Sequence, residues 1–553
     1  MPRLRSGSPD LSGWSTRQIW LTAFLAFFAL SAAWAVATPL TAAPDEPSHM
    51  VKAAATARGQ LSGQPSTHVL VINGVLTHQA LTKFDVPAEY GILNGKPACY
   101  YNESNVTAEC APTMPTWSHT AAVETSAGGS NPLYYAAVGW PSLLNTGEGG
   151  LYGMRLASAA ICAALLAGAV LTALQWSKRR NWMLLGVGVA ATPTALFLNG
   201  TVNPNAVEVS GAVLLWISML AMFTDRNPEL LGRRLARAGI ASVLLANVRP
   251  LGPLWTVGIL LCAMLVGEKG ALRGLVRNRA VLIWSGVVAA STLAAFAWSV
   301  RTSALTAAAV DRPDLTFTKA AAYTFNHSMH YLDSMIGVFG WLDVRSPSET
   351  HIAWYAVVGF LAVLALAFST RREAVALVGV AVSIVVLPMI AQGEQAASLG
   401  YIWQGRYLLA VAVGLPLLSV AVLAKHASNA PRSLDGRLTY SILGAILVGG
   451  FLAFYNTLHR YANGAKAPFF SWHHRWSPPI GFYTVVVLYL LGAAVLVWLA
   501  VVAHRSTDAA QEAGPAVREQ ADPPPEADVH IPLQATGSAS AASIRSADFR
   551  PVG

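Results

Sequence analysis

Apolar runs of about 17 to 22 residues recur along most of this chain, each long enough to cross about 30 Å of hydrocarbon as a helix. They lie near 18–39, 155–176, 182–198, 204–223, 280–300, 352–369, 374–391, 406–424, 438–456 and 482–503. The stretch 238–266 is also apolar, but Arg249-Pro250 and Pro253 interrupt it, and it reads as two short helices that enter the membrane and return. The pattern predicts an all-α polytopic membrane protein of about twelve segments, one pair of them short and re-entrant. Only 12 % of residues are charged, against roughly 25 % in a soluble domain.

Orientation follows from Lys and Arg. Basic clusters at Arg3–Arg5, Lys178–Arg180, Arg233-Arg234 with Arg237, Arg273–Arg279, Arg371-Arg372, Lys425–Arg437 and His504-Arg505 fall on alternate loops. The positive-inside rule places these loops, and both termini, in the cytoplasm. They also account for the net charge of +9, which suits contact with anionic lipid rather than nucleic acid. The expected organisation is a cytoplasmic N-terminus (1–17), a transmembrane domain (18–503) with outer loops at 40–154, 301–351 and 457–481, and a tail (504–553). The tail is rich in Ala, Pro, Ser, Glu and Asp without an apolar period, and is expected to be disordered. Ala35-Val36-Ala37 offers a signal-peptide cleavage spacing, but the apolar core from Ile19 to Pro39 exceeds the roughly 7–15 residues of a signal core, which favours a retained anchor.

Directly after the first span comes Thr41-Ala42-Ala43-Pro44-Asp45-Glu46-Pro47-Ser48-His49. A carboxylate beside hydrocarbon is partly desolvated and gains proton affinity, which suits general base work. The alternative is that Asp45 caps a helix beginning near Glu46; a cap has no need of Glu46 and His49. In the same loop, Cys99 and Cys110 flank a turn-rich decapeptide and are expected to be bridged on an oxidising face. Cys162 and Cys262 sit in apolar runs and read as small core residues. The loop 301–351 carries Tyr323, Phe325, His327, His330, Tyr331, Asp333, Trp341 and Asp343. Such a set suits either a carbohydrate surface or an interfacial aromatic belt. The loop 457–481 repeats the theme with Phe469, Phe470, Trp472, His473, His474 and Trp476. Adjacent histidines do not share a helix face, so no metal site is expected there.

Gly239–Val248 is about ten residues, or about 15 Å of helix, which would put Arg249 at mid-bilayer depth. A guanidinium there needs a partner, either a lipid phosphate bound by its planar fork or a carboxylate such as Glu208. Arg301 and Arg406 lie at outer ends of spans and read as interfacial anchors or as parts of a polar site; Gln404 and Tyr407 flank the second. Arg155, beside the approach Asn131-Pro132-Leu133-Tyr134-Tyr135, has the same two readings. Asn203-Pro204-Asn205 forms a short turn that either is ordinary turn chemistry or lines a cavity. There is no P-loop for an ATP-driven motor, and no inverted pair of Gly/Pro-broken spans of the kind that marks secondary transporters.

Six ordered segments together resemble domain-of-unknown-function family 2142, a group of predicted bacterial membrane proteins: Pro44–His49, Asn131–Tyr135, Asn203–Asn205, Val248–Pro253, Ile336–Asp343 and Gln404–Leu408. The resemblance covers about residues 15–505. The family layout is similar to the GT-C superfamily of membrane glycosyltransferases, which take a sugar from a polyprenyl-phosphate carrier on the outer face. That likeness implies an acidic general base in the first outer loop, which maps onto Asp45 with Glu46 as neighbour or substitute. This chain departs from the pattern at Asn205, where an acidic residue is expected.

The reading these features support is an inverting glycosyltransferase of the bacterial plasma membrane, with a polyprenyl-phosphate-linked sugar as donor and a cell-envelope glycan as acceptor. Asp45 and Glu46 are the expected catalytic pair. Arg249, Arg301, Arg406 and His49 are expected at the donor phosphate. Arg155, Tyr134, Tyr135, Asn203, Asn205, Trp341, Asp343, Gln404 and Tyr407 are expected at the substrates. Helix faces near 238–266 and 352–424 would hold the polyprenyl tail. No cofactor is required by these residues, and a divalent cation stays open. The alternative is a lipid-linked-glycan transporter or a non-catalytic accessory subunit of wall-polysaccharide assembly, using the same charges without bond chemistry.

Overall fold

In the computed structural model, residues 13–519 are described apart from 73–74, 177–179, 303–308, 311, 313 and 427–431. The helices begin where turn chemistry dictates. α1 (Thr16–Ala37) opens on a capping box between Ser15 and Gln18. A connector leads to α2 (Glu46–Ala57), and then to a small antiparallel sheet of β1 (Gln64–Ile72), β2 (Val75–Pro87) and β3 (Thr120–Thr125), in that order. Next come α3 (Pro132–Gly139), α4 (Pro141–Leu144) and the long α5 (Glu148–Leu174). α6 (Arg180–Ala190) and α7 (Pro193–Asn199) form one span bent by 68°, at the break where Thr192 caps and Pro193 restarts the helix.

α8 (Pro204–Thr224) and α9 (Pro228–Val248) each start with an Asn cap followed by Pro, Asn203 and Asn227 respectively. α10 (Gly252–Val266), the short α11 (Ala271–Val276) and α12 (Arg279–Arg301) follow. β4 (Ala309–Val310) joins β2. α13 (Phe317–Asn326) and α14 (Ser328–Gly337) precede a two-stranded hairpin of β5 (Val338–Phe339) and β6 (Val344–Arg345). The remainder is α15 (Ser348–Phe368), α16 (Arg371–Leu399), a 3₁₀ turn Gly405–Leu408, α17 (Leu409–Ala412), α18 (Gly414–His426), α19 (Arg432–Asn463) and α20 (Phe482–Glu519).

Among the described residues, nine helical stretches are long and apolar enough to cross a membrane, and the bent α6–α7 pair makes a tenth. The protein is a multi-pass helical membrane protein. α8 is its axis, with 94 % of its most apolar stretch buried against α5, α9 and α10. α12 is the opposite case: 6 % of its apolar stretch is buried, and it turns Leu282, Ile283, Leu293 and Phe296 outward. An apolar face of that kind needs hydrocarbon, not water, around it.

Three expectations are corrected. The 238–266 segment is not two half-depth helices. α9 starts at Pro228 and runs the length of α8, with Arg234 paired to Asp225 at the end of α8 and Arg249 donating to Asn205 at its start. Arg249 therefore sits at the far end of a full-length helix, at the end of the bundle that carries the sheet, and not at mid-depth. The segment 182–198 is broken rather than continuous. The tail is helical over 504–519, as a continuation of α20, while 520–553 lies outside the described residues. By its contacts the chain forms one unit over 1–507 and another over 508–553.

Candidate functional site

The connector between α1 and α2 is where sequence and backbone geometry coincide. Thr41 (φ 68°) and Asp45 (φ 64°) both adopt the left-handed region, at a cost of about 1–3 kcal/mol each for non-glycine residues. Surrounding groups hold them there. The Trp341 indole donates to the Thr41 carbonyl at 2.9 Å. Arg155, fully buried, donates to the carbonyls of Ala35, Thr38 and Pro39. It also binds both oxygens of buried Glu46, at 2.7 and 2.5 Å, and Glu46 takes a further bond from the Val202 amide. Every Arg155 nitrogen is engaged by protein. Arg155 and Glu46 are thus the clamp that sets the connector, and neither substrate binding by Arg155 nor proton transfer by Glu46 is available.

Asp45 occupies the N-cap position of α2, yet its side chain makes no cap bond. The carboxylate turns instead to Arg406, meeting Nη2 at 2.5 Å. The Asp45 side chain is 46 % exposed, and Arg406 is 4 % exposed. Nε and Nη1 of Arg406 are buried and have no partner. Arg249 comes in from the other side. The Arg249 and Arg406 guanidinium carbons each lie 5.1 Å from the Tyr407 ring centre. Arg249 donates to Asn205 Oδ1, whose amide donates in turn to buried Glu208 at 2.8 Å; the Trp255 indole donates to the other Glu208 oxygen at 2.9 Å. Of the two sequence-based partners of Arg249, Glu208 is linked to it through Asn205. Position 205 itself carries no carboxylate, and the nearest one on α8 is Glu208, one turn later.

His49 and Tyr135 complete this surface. Tyr135 Oη lies 2.8 Å from His49 Nδ1, and Tyr134 reaches Ser158 at 3.1 Å. Burial pushes the His49 imidazole down to about 3; Asp45 opposes the shift, and Arg249 and Arg406 reinforce it. Burial likewise holds Tyr135 up at about 12. At neutral pH this pair is uncharged, so His49 contributes a dipole rather than a cation. Asn203 donates to the Pro44 carbonyl and accepts from Asn205 N, tying the start of α8 to the Asp45 connector.

The remaining expected residues lie elsewhere or do other work. Arg301 ends α12 in an exposed position, and none of the bonds joining Asp45, Arg249 and Arg406 involves it. The Asp343 side chain is 7 % exposed and accepts from the amides of Trp341 and Asn102, so it shapes a turn instead of facing a ligand. Gln404 lies beside Arg406 with a buried, unpartnered Oε1. Cys99 and Cys110 are disulfide-bonded, in a loop that Arg460 clamps through the carbonyls of Tyr100, Glu103 and Val106. Arg460 was not foreseen; no local pattern distinguishes it from an interfacial anchor. Trp255 was also missed; it is buried on α10, and no local pattern within that apolar run marks it out.

An apolar groove opens between α10 and α16, lined by Leu254, Trp255, Gly258, Val380, Leu387 and Val411. A Cβ at Gly258 or Gly379 would meet nothing within 4 Å, so these glycines leave the groove wide. Among the described residues, no group of three or more His, Cys, Asp or Glu side chains is placed to hold a metal ion.

A family model described as "Predicted membrane protein (DUF2142)" matches residues 28–415, a stretch that includes Asp45, Arg249 and Arg406. No curated protein matches the chain.

Proposed function

The chain belongs to the DUF2142 family of predicted membrane proteins, and we propose that it is an inverting glycosyltransferase that uses a polyprenyl-phosphate-linked sugar. The observation that carries this reading is the Asp45–Arg406 pair. A half-exposed carboxylate is held against a buried arginine whose other two nitrogens lack partners. Buried donors without acceptors call for a ligand that supplies them, and the planar fork suits phosphate oxygens.

In this reading the donor tail lies in the α10–α16 groove and its phosphate between Arg249 and Arg406. The acceptor hydroxyl attacks the anomeric carbon as its proton passes to Asp45, while the bond from that carbon to the phosphate oxygen breaks and its electron pair leaves with the phosphate. Charge grows on the phosphate as it departs, and two fixed guanidinium groups stabilise it without reorganising. A single displacement inverts the anomeric centre. The phosphate also competes with Asp45 for Arg406, which frees the carboxylate when the donor is in place.

The sheet end is then extracytoplasmic, both termini are cytoplasmic by the charge pattern, the setting is a bacterial plasma membrane, and the acceptor is a cell-envelope glycan. A lipid-linked-glycan transporter or accessory subunit is favoured by one feature: the Asp45 charge is already engaged by Arg406. The test is mass spectrometry of envelope glycans from a deletion strain complemented with wild-type or Asp45→Asn protein. The reading expects a missing sugar in the deletion that wild type restores and Asp45→Asn does not. Equal restoration by both would favour the transporter.

A further inference from the structure

Three helix ends meet around one buried carboxylate. Asn205 and Glu208 stand three residues apart near the start of α8 and so share a face. Arg249 is the C-cap of α9. The turn from there into α10 is tight: a Cβ on Gly252 would lie 1.8 Å from the Leu245 carbonyl oxygen, so glycine lets the chain double back and brings Trp255 to the same place. Glu208 is 2 % exposed. Its two oxygens accept from the Asn205 amide at 2.8 Å and from the Trp255 indole at 2.9 Å.

Both Glu208 oxygens accept, as those of an ionised carboxylate do, yet among the described residues no Lys, Arg or His meets them directly. The cation stands one side chain further away. A guanidinium only donates, so Asn205 has to turn its oxygen to Arg249 and its amide to Glu208, which is the arrangement found. Asn205 Oδ1 is also the one hydrogen-bond acceptor that Arg249 has among the described residues. Arg155 shows the opposite design, with Glu46 bound straight onto its guanidinium. An aspartate at position 205 would likewise pair with Arg249 and compete with an incoming phosphate for it. The amide passes on the fixing without the competing charge.

We infer that Glu208 and Asn205 are positioning residues for Arg249: Glu208 fixes the amide, the amide fixes the guanidinium, and Arg249 keeps its charge for the donor phosphate. The identity of that anion rests on the transferase reading above. The two arginines are then held in unlike ways. Arg406 exchanges Asp45 for the phosphate, whereas Arg249 is held ready by a neutral group and needs no exchange.

Binding of a synthetic polyprenyl monophosphate to the full-length protein, followed by native mass spectrometry, tests this through a double-mutant cycle. Arg249→Ala should weaken binding. Asn205→Ala should weaken it about ten-fold or more when Arg249 is present, and should cost nothing further once Arg249 is replaced by alanine. Glu208→Gln, close to isosteric, should act in the same way and carries the test if Asn205→Ala does not fold. Asn205→Asp should weaken binding at least as much as Asn205→Ala, because it adds the competing charge. A merely structural role would weaken binding equally in both backgrounds, and that result overturns the inference. So does an Asn205→Asp protein that binds as well as wild type, or a Glu208→Gln protein that binds more tightly, as removal of a mere repelling charge would produce. If Arg249→Ala binds like wild type, the proposed donor site and the inference fall together. If the cycle holds and no preparation transfers sugar, only the transferase reading falls.

Discussion

Asp45 and Arg406 lie 361 residues apart in the chain and meet at 2.5 Å, the carboxylate half exposed and the guanidinium almost fully buried. A buried guanidinium without compensation is costly, so the Asp45 charge keeps Arg406 in place until another anion arrives. In the proposed reading, the same contact lets the donor phosphate release the base.

Arg406→Lys keeps the charge but loses the fork. Turnover should fall about 10²-fold or more, because a point charge cannot reproduce donors aimed at the developing phosphate oxygens. Arg249→Ala should weaken donor binding and turnover together, since it removes charge felt by both the bound and the departing phosphate. Steady-state kinetics in proteoliposomes measure both; an Arg406→Lys enzyme with wild-type kcat would place the phosphate elsewhere.

Glu46→Ala should act on the fold. It leaves Arg155, wholly buried, without its counter-charge, at a cost of about 3–5 kcal/mol. Thermal unfolding in detergent should show a large fall in midpoint, and an unchanged midpoint would mean that the clamp on the connector lies elsewhere.

His49 makes stability depend on pH. Its ordinary value is 6.5, and burial lowers it to about 3 in the folded chain. The unfolded chain therefore takes up a proton between these values that the folded chain does not. The contribution is complete above the ordinary value and is lost as pH falls toward the lowered one, by about 2 kcal/mol between pH 6.5 and 5. His49→Gln should flatten this part of the unfolding profile. If the variant and wild type lose stability equally from pH 7 to 5, His49 is not the group responsible.

Cysteine substituted at Arg233 and Arg277 should be labelled from one side of the membrane and cysteine at Arg249 from the other, as a full-length α9 requires. Labelling of position 249 from neither side would restore the mid-depth hairpin.

Much of this architecture is readable from composition and spacing because membrane helices satisfy their own backbone and must be apolar over a fixed length. The error at 228–248 has the same origin. Arg233, Arg234 and Arg237 look like loop residues to a hydropathy count, yet Arg234 is buried and pairs with Asp225 at 2.6 Å. The helix extends through its charges because a partner from α8's end neutralises one of them. Asp45 and Arg406 were each legible as polar residues at membrane boundaries, but their contact spans most of the chain and no local pattern encodes it. Glu46 and Arg155 misled for the complementary reason: a saturated ion pair and a reactive site have the same residue types, and only counting the bonds separates them. The sheet of β1–β4 also went unread, since its strands carry no clean apolar alternation.

The most direct measurement is transfer by reconstituted Asp45→Asn protein, from a polyprenyl-phosphate sugar to an envelope glycan, with donor binding followed in the same samples. Asparagine keeps a neutral oxygen toward Arg406 but cannot accept the proton. Turnover should therefore drop about 10²-fold or more, while the donor phosphate binds at least as tightly because its competitor for Arg406 is gone. Transfer at near wild-type rate by the folded variant would contradict the account.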